Sequence, residues 1–435
     1  SVLKIESRAQ ISDIIKIKDV DFLYIAENES TIKFVDVFEV NQHLKVSELF
    51  LIANELKIKS FLETRKKEDA FRTLQATDGS IDFLSNDYLG FATNETLFSK
   101  TFQLLLTESV AANGSGGSRL LSGNHKLYSK LESQLATFYK SNAALVFNSG
   151  YDANMGLFSS VPQKGDLVFY DEYIHASIRE GLRLSNAKSY SFSHNSLSSL
   201  KEKIELNTAR NEYEEYTVYV VTESVFSMDG DSPDLKTFVK YSKSNGYCLI
   251  VDEAHAVGVF GDYGEGLVPS LKLEKDVFAR TVTFGKGFGC HGAAILGADD
   301  LKDFLVNFAK PFIYTTALTP HTLATIITAH EFLEVLGKEP KRILLENIEF
   351  FKKQIVTHKL EESFIPSNSA IQGCVIPGSK SAKQVAKKLL DKGFNIKAVL
   401  APTVPKGQER LRICLHSYNS KEEIGLLIKL LASYI

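Results

Sequence analysis

Thr281-Val282-Thr283-Phe284-Gly285-Lys286-Gly287-Phe288-Gly289 is the most informative run in the chain. A short apolar strand stops abruptly at a glycine-rich turn that carries one lysine. Lysine ordinarily seeks solvent. Held at the end of a sheet in partly dry surroundings it has a depressed pKa, and as a neutral amine it can form a Schiff base with a carbonyl. Other runs stop the same way: Ala144–Phe147 before Asn148-Ser149-Gly150, Leu167–Tyr170 before Asp171, Val218–Val221 before Thr222-Glu223-Ser224, and Cys248–Val251 before Asp252. Continuous rather than alternating apolar runs suit strands covered on both faces, so the expected fold is α/β, a mostly parallel sheet between helices. In such sheets functional groups gather at the carboxyl ends of the strands.

Val251-Asp252-Glu253-Ala254-His255 resembles a helicase box when read alone. That reading needs a G-x-x-x-x-G-K-[ST] phosphate loop upstream, and the sequence has none. An aspartate ending one strand and a lysine following a later one match instead a site for pyridoxal 5′-phosphate (PLP). The carboxylate keeps the pyridine nitrogen protonated while the lysine holds the cofactor. In Asp171-Glu172-Tyr173-Ile174-His175-Ala176-Ser177, His175 follows a strand and could stack on the ring.

The 435 residues carry 50 basic and 53 acidic side chains, a net charge of −3, which leaves no basic excess to grip nucleic acid or an anionic membrane. No apolar run reaches the roughly 18 residues of a membrane span. Ser1 to Gln10 lacks the apolar core of a signal peptide. Cys248, Cys290, Cys374 and Cys414 form no C-x-x-C pair, and together these features suggest a reduced, cytoplasmic setting. The sequons at Asn28 and Asn94 read as chance matches. Residues 1–56 read as a β-rich extension, with strands at Ile14–Ile17, Phe22–Ile25 and Thr31–Phe38. A helix is expected from about Val46 to Arg65, and residues 57–80 form a helical segment. The large PLP-binding domain is expected at 81–320. Residues 321–435 read as a smaller α+β domain, with helices at Leu323–Leu336, Ile343–His358, Ser381–Lys392 and Ser420–Ile435 and strands at Ile371–Ile376, Ile396–Val399 and Leu411–Leu415.

Several segments, in order, resemble the α-oxoamine synthases, PLP enzymes that condense an amino acid with an acyl-CoA. They are Leu84–Gly90, Gly114–Gly123, Asn148–Tyr151, Ser227–Asp231, Asp252–His255, Thr283–Gly289, Ile313–Thr316, Val404–Gly407 and Leu411-Arg412, and they span about residues 60–435. The resemblance implies the aspartate aminotransferase-like fold of PLP-dependent transferases. It implies that Lys286 binds PLP and then takes the substrate Cα proton. Asp252 would pair with the pyridinium, His255 with Ser227 would face the cofactor O3′, and His175 would stack on the ring. Gly150, Tyr151 and Thr283 would hold the phosphate. Thr315 and Thr316 would reach the partner subunit's phosphate, making the site that of a homodimer. Arg412, with Arg410 as its rival, would clamp the substrate carboxylate, and Asn86 and Glu223 would contribute beside substrate or cofactor.

Gly292-Ala293-Ala294, Ser227–Asp231 and Pro402–Pro405 lean toward the family member that joins L-alanine to a pimeloyl thioester on CoA or acyl carrier protein (ACP). Val404–Gln408 resembles the member that uses glycine and acetyl-CoA. The alternatives are that glycine pair, serine with a long-chain acyl-CoA, another PLP enzyme of the fold such as an aminotransferase or decarboxylase, and a non-catalytic relative. Retention of Lys286, Asp252, His175 and His255 argues against the last. Cys290-His291 departs from the usual Val-Ser-like pair beside the lysine, and residues 1–56 have no counterpart in the usual family member.

Overall fold

The computed structural model describes residues 58–67, 71–74 and 79–435 apart from 111, 212 and 214, together with the backbone of three strands in the first 57. The chain divides into two compact units, Ser1–Asp78 and Gly79–Ile435. In the first, β1 (Val2–Ile5) pairs parallel with β2 (Phe22–Asn28), which pairs antiparallel with β3 (Thr31–Asp36). The expected Phe22–Ile25 strand lies within β2, and β3 covers the start of Thr31–Phe38. Ile14–Ile17 and residues 46–57 of the expected helix lie outside the described residues. A helix, α1, runs over 58–67.

The second unit is built on a seven-stranded sheet. Its strands are β5 (Ala143–Phe147), β6 (Leu167–Asp171), β7 (Lys188–Phe192), β8 (Val218–Glu223), β9 (Cys248–Asp252), β10 (Ala279–Thr283) and β11 (Ala293–Gly297). The spatial order is β5-β11-β10-β9-β8-β6-β7, and only β11 runs antiparallel to its neighbours. Every residue of β5, β8 and β10 is buried, as expected for strands covered on both faces. The helices α2 (Glu95–Thr107) and α3 (Lys126–Phe138) precede these strands; α4 (Gly150–Ser160), α5 (Ala176–Leu184), α6 (Leu197–Thr208) and α7 (Leu235–Ser244) lie between them, and α8 (Asp299–Phe308) follows β11. Ser149 starts α4 sharply: its hydroxyl accepts from the Asp152 amide, satisfying one orphan donor of the first turn.

After α9 (Pro320–Val335) and α10 (Lys338–Thr357) comes a small antiparallel sheet, β12 (Ile371–Val375), β15 (Arg410–Cys414) and β14 (Lys397–Val399), covered by α11 (Ser379–Leu390) and α12 (Lys421–Tyr434). α12 opens with a reciprocal capping box between Ser420 and Glu423. Early chain is woven into this region. β4 (Ile81–Asp82) pairs parallel with β13 (Phe394–Asn395), and the Cys414 amide donates to the Phe83 carbonyl at 2.8 Å. One hydrophobic cluster contains Phe83, Tyr88, Val282 and Phe284 together with Leu411, Ile413 and Leu427, so residues on both sides of position 320 share a core. The weave brings residues 82–91 and the β15 strand beside the carboxyl edge of the large sheet. Among the described residues no helix is long and apolar enough to cross a membrane.

Candidate active site

The carboxyl ends of β5, β8, β9 and β10 and the loop after β6 open onto one cavity of about 240 Å³. Its wall includes Asn86, Gly150, Tyr151, His175, Glu223, Asp252, His255, Thr283 and Lys286. Nine of the residues expected from the sequence are therefore brought together.

Asp252, the last residue of β9, is buried, and its carboxylate is fixed at both oxygens. Oδ2 accepts from Asn154 Nδ2 at 2.8 Å and Oδ1 from the Ala254 amide at 2.9 Å. Asn154 is itself locked, since its Oδ1 accepts from the Thr281 hydroxyl at 2.9 Å and its Nδ2 also donates to Ser177 Oγ at 3.0 Å. Ser177 Oγ lies 2.7 Å from His175 Nδ1, and the His175 amide donates to Glu223 Oε1 at 2.5 Å. The His175 ring is open to the cavity. Burial holds the Glu223 carboxyl well above its usual range, with Asp252's charge adding and Lys286 opposing.

Lys286 lies in the turn after β10, with Nζ 2.8 Å from His255 Nε2. Desolvation pushes the amine down to about 8, against the upward pull of Asp252 and Glu223. His255 is buried, and burial holds its pKa well below the usual value, with help from the positive charges of Lys286 and Arg412; the ring is neutral at pH 7. Its Nδ1 is 2.7 Å from the Tyr88 hydroxyl.

At the opposite end, Ser149 and Gly150 begin α4, whose amide groups point outward and favour an anion. A side chain at Gly150 would put Cβ 2.5 Å from Thr283 Cγ2, so only glycine allows this approach. A depressed lysine amine, a fixed carboxylate and an anion-seeking helix start line one cavity. These donors fit PLP: an aldehyde for the amine, a ring nitrogen for the carboxylate and a phosphate for the helix start.

Arg412, on β15, lies behind the wall rather than in it. Its Nη2 donates to Asn86 Oδ1 at 2.8 Å, Nε to the Ser227 carbonyl at 2.6 Å and Nη1 to Cys414 Sγ at 2.9 Å. Arg410 is committed elsewhere, in a buried ion pair with Asp229. Ser227 touches the site through its backbone carbonyl and does not line the cavity. Thr315 and Thr316 also stand outside it, tied to the β5 turn by Asn148 Nδ2, which donates to Thr315 Oγ1 at 3.0 Å and to the Thr316 carbonyl at 2.8 Å.

Sequence reasoning assigned no role to Asn154, Ser177 or Tyr88. Asn154 falls four residues after Gly150, so both share one face of α4; a polar residue on the buried face was the available signal. Of the departures beside the lysine, His291 lines the cavity. Cys290 turns away, its Sγ donating to the Phe288 carbonyl at 3.0 Å, and burial pushes its thiol well up. It is not poised as a nucleophile.

Residues 80–430 match the aminotransferase class I and II family, and the chain belongs to it; it is an enzyme that uses PLP. Within that family it groups with the α-oxoamine synthases. It is 39% identical over 394 residues to the 8-amino-7-oxononanoate synthase of Emericella nidulans, covering 85% of this chain and 94% of that one. With the 8-amino-7-oxononanoate synthase of Lysinibacillus sphaericus it shares 38% over 353 residues, 80% of this chain and 86% of that. Among solved structures, an SPT with PLP superposes with a TM-score of 0.75 at 27% identity, over 82% of this chain and 87% of that one.

Proposed function

We propose that this protein joins L-alanine to a pimeloyl thioester, carried on CoA or ACP, with loss of CO2, to give 8-amino-7-oxononanoate and the free thiol. The observation that carries the reading is Lys286. Its amine is depressed to about 8 beside Asp252, in a cavity that Asn86 lines and behind whose wall Asn86 holds the Arg412 guanidinium. The identity with curated 8-amino-7-oxononanoate synthases supports the choice of substrates.

PLP, when bound, supplies a conjugated ring that takes up the electron pair released at the substrate Cα. The chain's own groups do the rest. Asp252 holds a proton at the ring nitrogen, and its anchoring by Asn154 and the Ala254 amide keeps it aimed. Ser149, Gly150, Tyr151 and Thr283 receive the phosphate. His175, held by Ser177 and Glu223, would stack on the ring, and His255 would attend O3′, with the Ser227 carbonyl steadying Arg412 nearby. Arg412 pairs with the amino-acid carboxylate, since a guanidinium matches it bidentately. Asn86 holds the guanidinium in place. Lys286 takes the Cα proton and later returns one to the product carbon. In between, the pair freed at Cα attacks the thioester carbon. The C–S bond breaks, with its electrons going to sulfur, and the carboxylate leaves as CO2. Thr315 and Thr316 serve the partner subunit's phosphate, so the working unit is a homodimer. The four cysteines are unpaired, which suits a reduced, cytoplasmic setting.

Thiol release from the PLP-loaded protein tests the reading, crossing L-alanine, glycine and L-serine with acetyl-, pimeloyl- and palmitoyl-CoA. Release with alanine and pimeloyl-CoA alone is the expected result. Release with serine and palmitoyl-CoA would move the enzyme to the second reading, which the likeness to SPT favours. No release from any CoA thioester calls for the same cross with acyl-ACP, and silence there as well would overturn the condensation.

A further inference from the structure

Tyr88 has no role so far, yet it occupies the middle of the site's hydrogen-bond chain. Its side chain is fully buried. Its hydroxyl lies 2.7 Å from His255 Nδ1 and 3.2 Å from Asn86 Oδ1. Beyond the imidazole, His255 Nε2 is 2.8 Å from Lys286 Nζ. Beyond the amide, Arg412 Nη2 donates to Asn86 Oδ1 at 2.8 Å.

Counting hydrogens along this chain leaves two arrangements. The phenol has one hydrogen and two acceptors in reach, and the neutral imidazole carries one hydrogen on either nitrogen. An ammonium at Lys286 offers Nε2 only donors. Nε2 must then be bare and Nδ1 carries the hydrogen, donating to the Tyr88 oxygen, whose own hydrogen goes to Asn86. Once Nζ gives up its proton, or an oxyanion faces Nε2, the opposite arrangement fits. Tyr88 turns its hydrogen to Nδ1 and Nε2 becomes a donor. Asn86 Oδ1 keeps its bond from Arg412 in both states, so neither leaves a buried polar atom unpaired, which would cost about 1–3 kcal/mol.

We propose that Tyr88 is a positioning residue that sets which nitrogen of His255 carries the hydrogen, and that it switches as the proton on Lys286 comes and goes. The proposal rests on the reading of Lys286 and His255 given above. It lets one imidazole accept from the resting ammonium and then donate to the cofactor oxygen without itself becoming charged. The other titratable or charged groups around this chain are Asp252 and Glu223, acting on Lys286, and His175 and Arg412, acting on His255. Arg412 also reaches the Tyr88 hydroxyl, Cys414 lies behind Tyr88, and His416 stacks on its ring.

The test is 15N NMR of the histidine-labelled, full-length protein stripped of PLP, titrated from about pH 6 to 10. The His255 signals are identified by their loss in His255→Asn. In the wild type, Nδ1 is expected to carry the hydrogen below about pH 8, where Lys286 is charged, and Nε2 above it. Adding PLP at pH 7 moves the hydrogen to Nε2. In Tyr88→Phe, which keeps the ring and loses only the oxygen, the ammonium still keeps Nε2 bare at low pH, but with no phenol hydrogen for Nδ1 the ratio changes far less as Lys286 loses its proton. A wild-type His255 with the same tautomer at both ends of the range would overturn the proposal, as would a Tyr88→Phe protein that switches at the same pH. If Tyr88→Phe does not fold, a wild-type tautomer ratio that stays fixed across the titration and on addition of PLP still overturns the proposal. Neither uses an acyl thioester, so a failure of the condensation reading is separately visible.

Discussion

His255 and His194 are both largely buried at the carboxyl edge of the same sheet, and their pKa values move in opposite directions. His255 faces an amine and a guanidinium, and burial with those charges drives it neutral. His194 bridges two carboxylates, with Nδ1 2.9 Å from Asp171 Oδ1 and Nε2 2.8 Å from Asp231 Oδ2. Burial opposes its charge too, but the hydrogen bonds and charges of the two aspartates outweigh it and raise the pKa to about 10. His194, Asp229 and Asp231 have the spacing of a metal site. The imidazolium proton and the Arg410 guanidinium on Asp229 already supply the positive charge there. The His194 cluster satisfies its charges and ties the Ser227–Asp231 turn to the end of β6. The Lys286 cluster leaves its amine under-compensated, and an amine that gives up its proton easily is what the chemistry needs.

Removing the amine should break the comparison most sharply. Lys286→Ala is expected to lose turnover by about 10⁴-fold or more, because nucleophile and base vanish together. Thiol release and the absorbance of covalently held PLP are the measurements, and sustained turnover without added amine would overturn the assignment. On the satisfied side the effect falls on stability. Arg410→Met leaves Asp229 buried and unpaired and should cost about 4 kcal/mol in urea unfolding, whereas adding Asp229→Leu should recover most of it.

The two clusters were not equally legible in the sequence. Asp252, Glu223 and Lys286 stood out because each polar residue interrupts a continuous apolar run, and both faces of those strands are covered. β7 was missed for the converse reason. Lys188–Phe192 is an edge strand with mostly exposed side chains, so no apolar run marks it. Asn154, Ser177 and Tyr88 support the site from a helix face and a loop, where a single polar or aromatic residue is commonplace and only tertiary packing singles it out. Arg412 and Arg410 sit two apart on β15 and so share a face; the motif favoured Arg412, and the neighbours Asp229 and Asn86 separate their roles in the fold. Ser227, expected beside His255 at O3′, does not line the cavity; its carbonyl accepts from Arg412 Nε.

His194→Gln sharpens the electrostatic half of the comparison. A folded pKa raised from about 6.5 to about 10 contributes stability that is complete below pH 6.5 and lost as pH rises through 10. The variant should be less stable than the wild type by about 2 kcal/mol at pH 6, discounted for the partial exposure of the cluster. The two unfolding curves should converge near pH 10. A stability gap that is the same at both pH values would mean that His194 contributes by packing against Tyr173 and Phe226, not by its charge.

The smallest effect is a matter of pH alone. Lys286 captures an aldehyde only as the free amine, and its pKa of about 8 sets that fraction. Uptake of PLP by the stripped protein should therefore speed up about tenfold per pH unit below 8 and level off above it. Asp252's charge raises that pKa, so Asp252→Asn should move the break to lower pH while weakening the hold on the ring nitrogen. An uptake rate that climbs steadily toward pH 10 would mean that the amine is no drier than an ordinary surface lysine. The contrast between a compensated and an under-compensated cluster would then fail at the residue on which it depends.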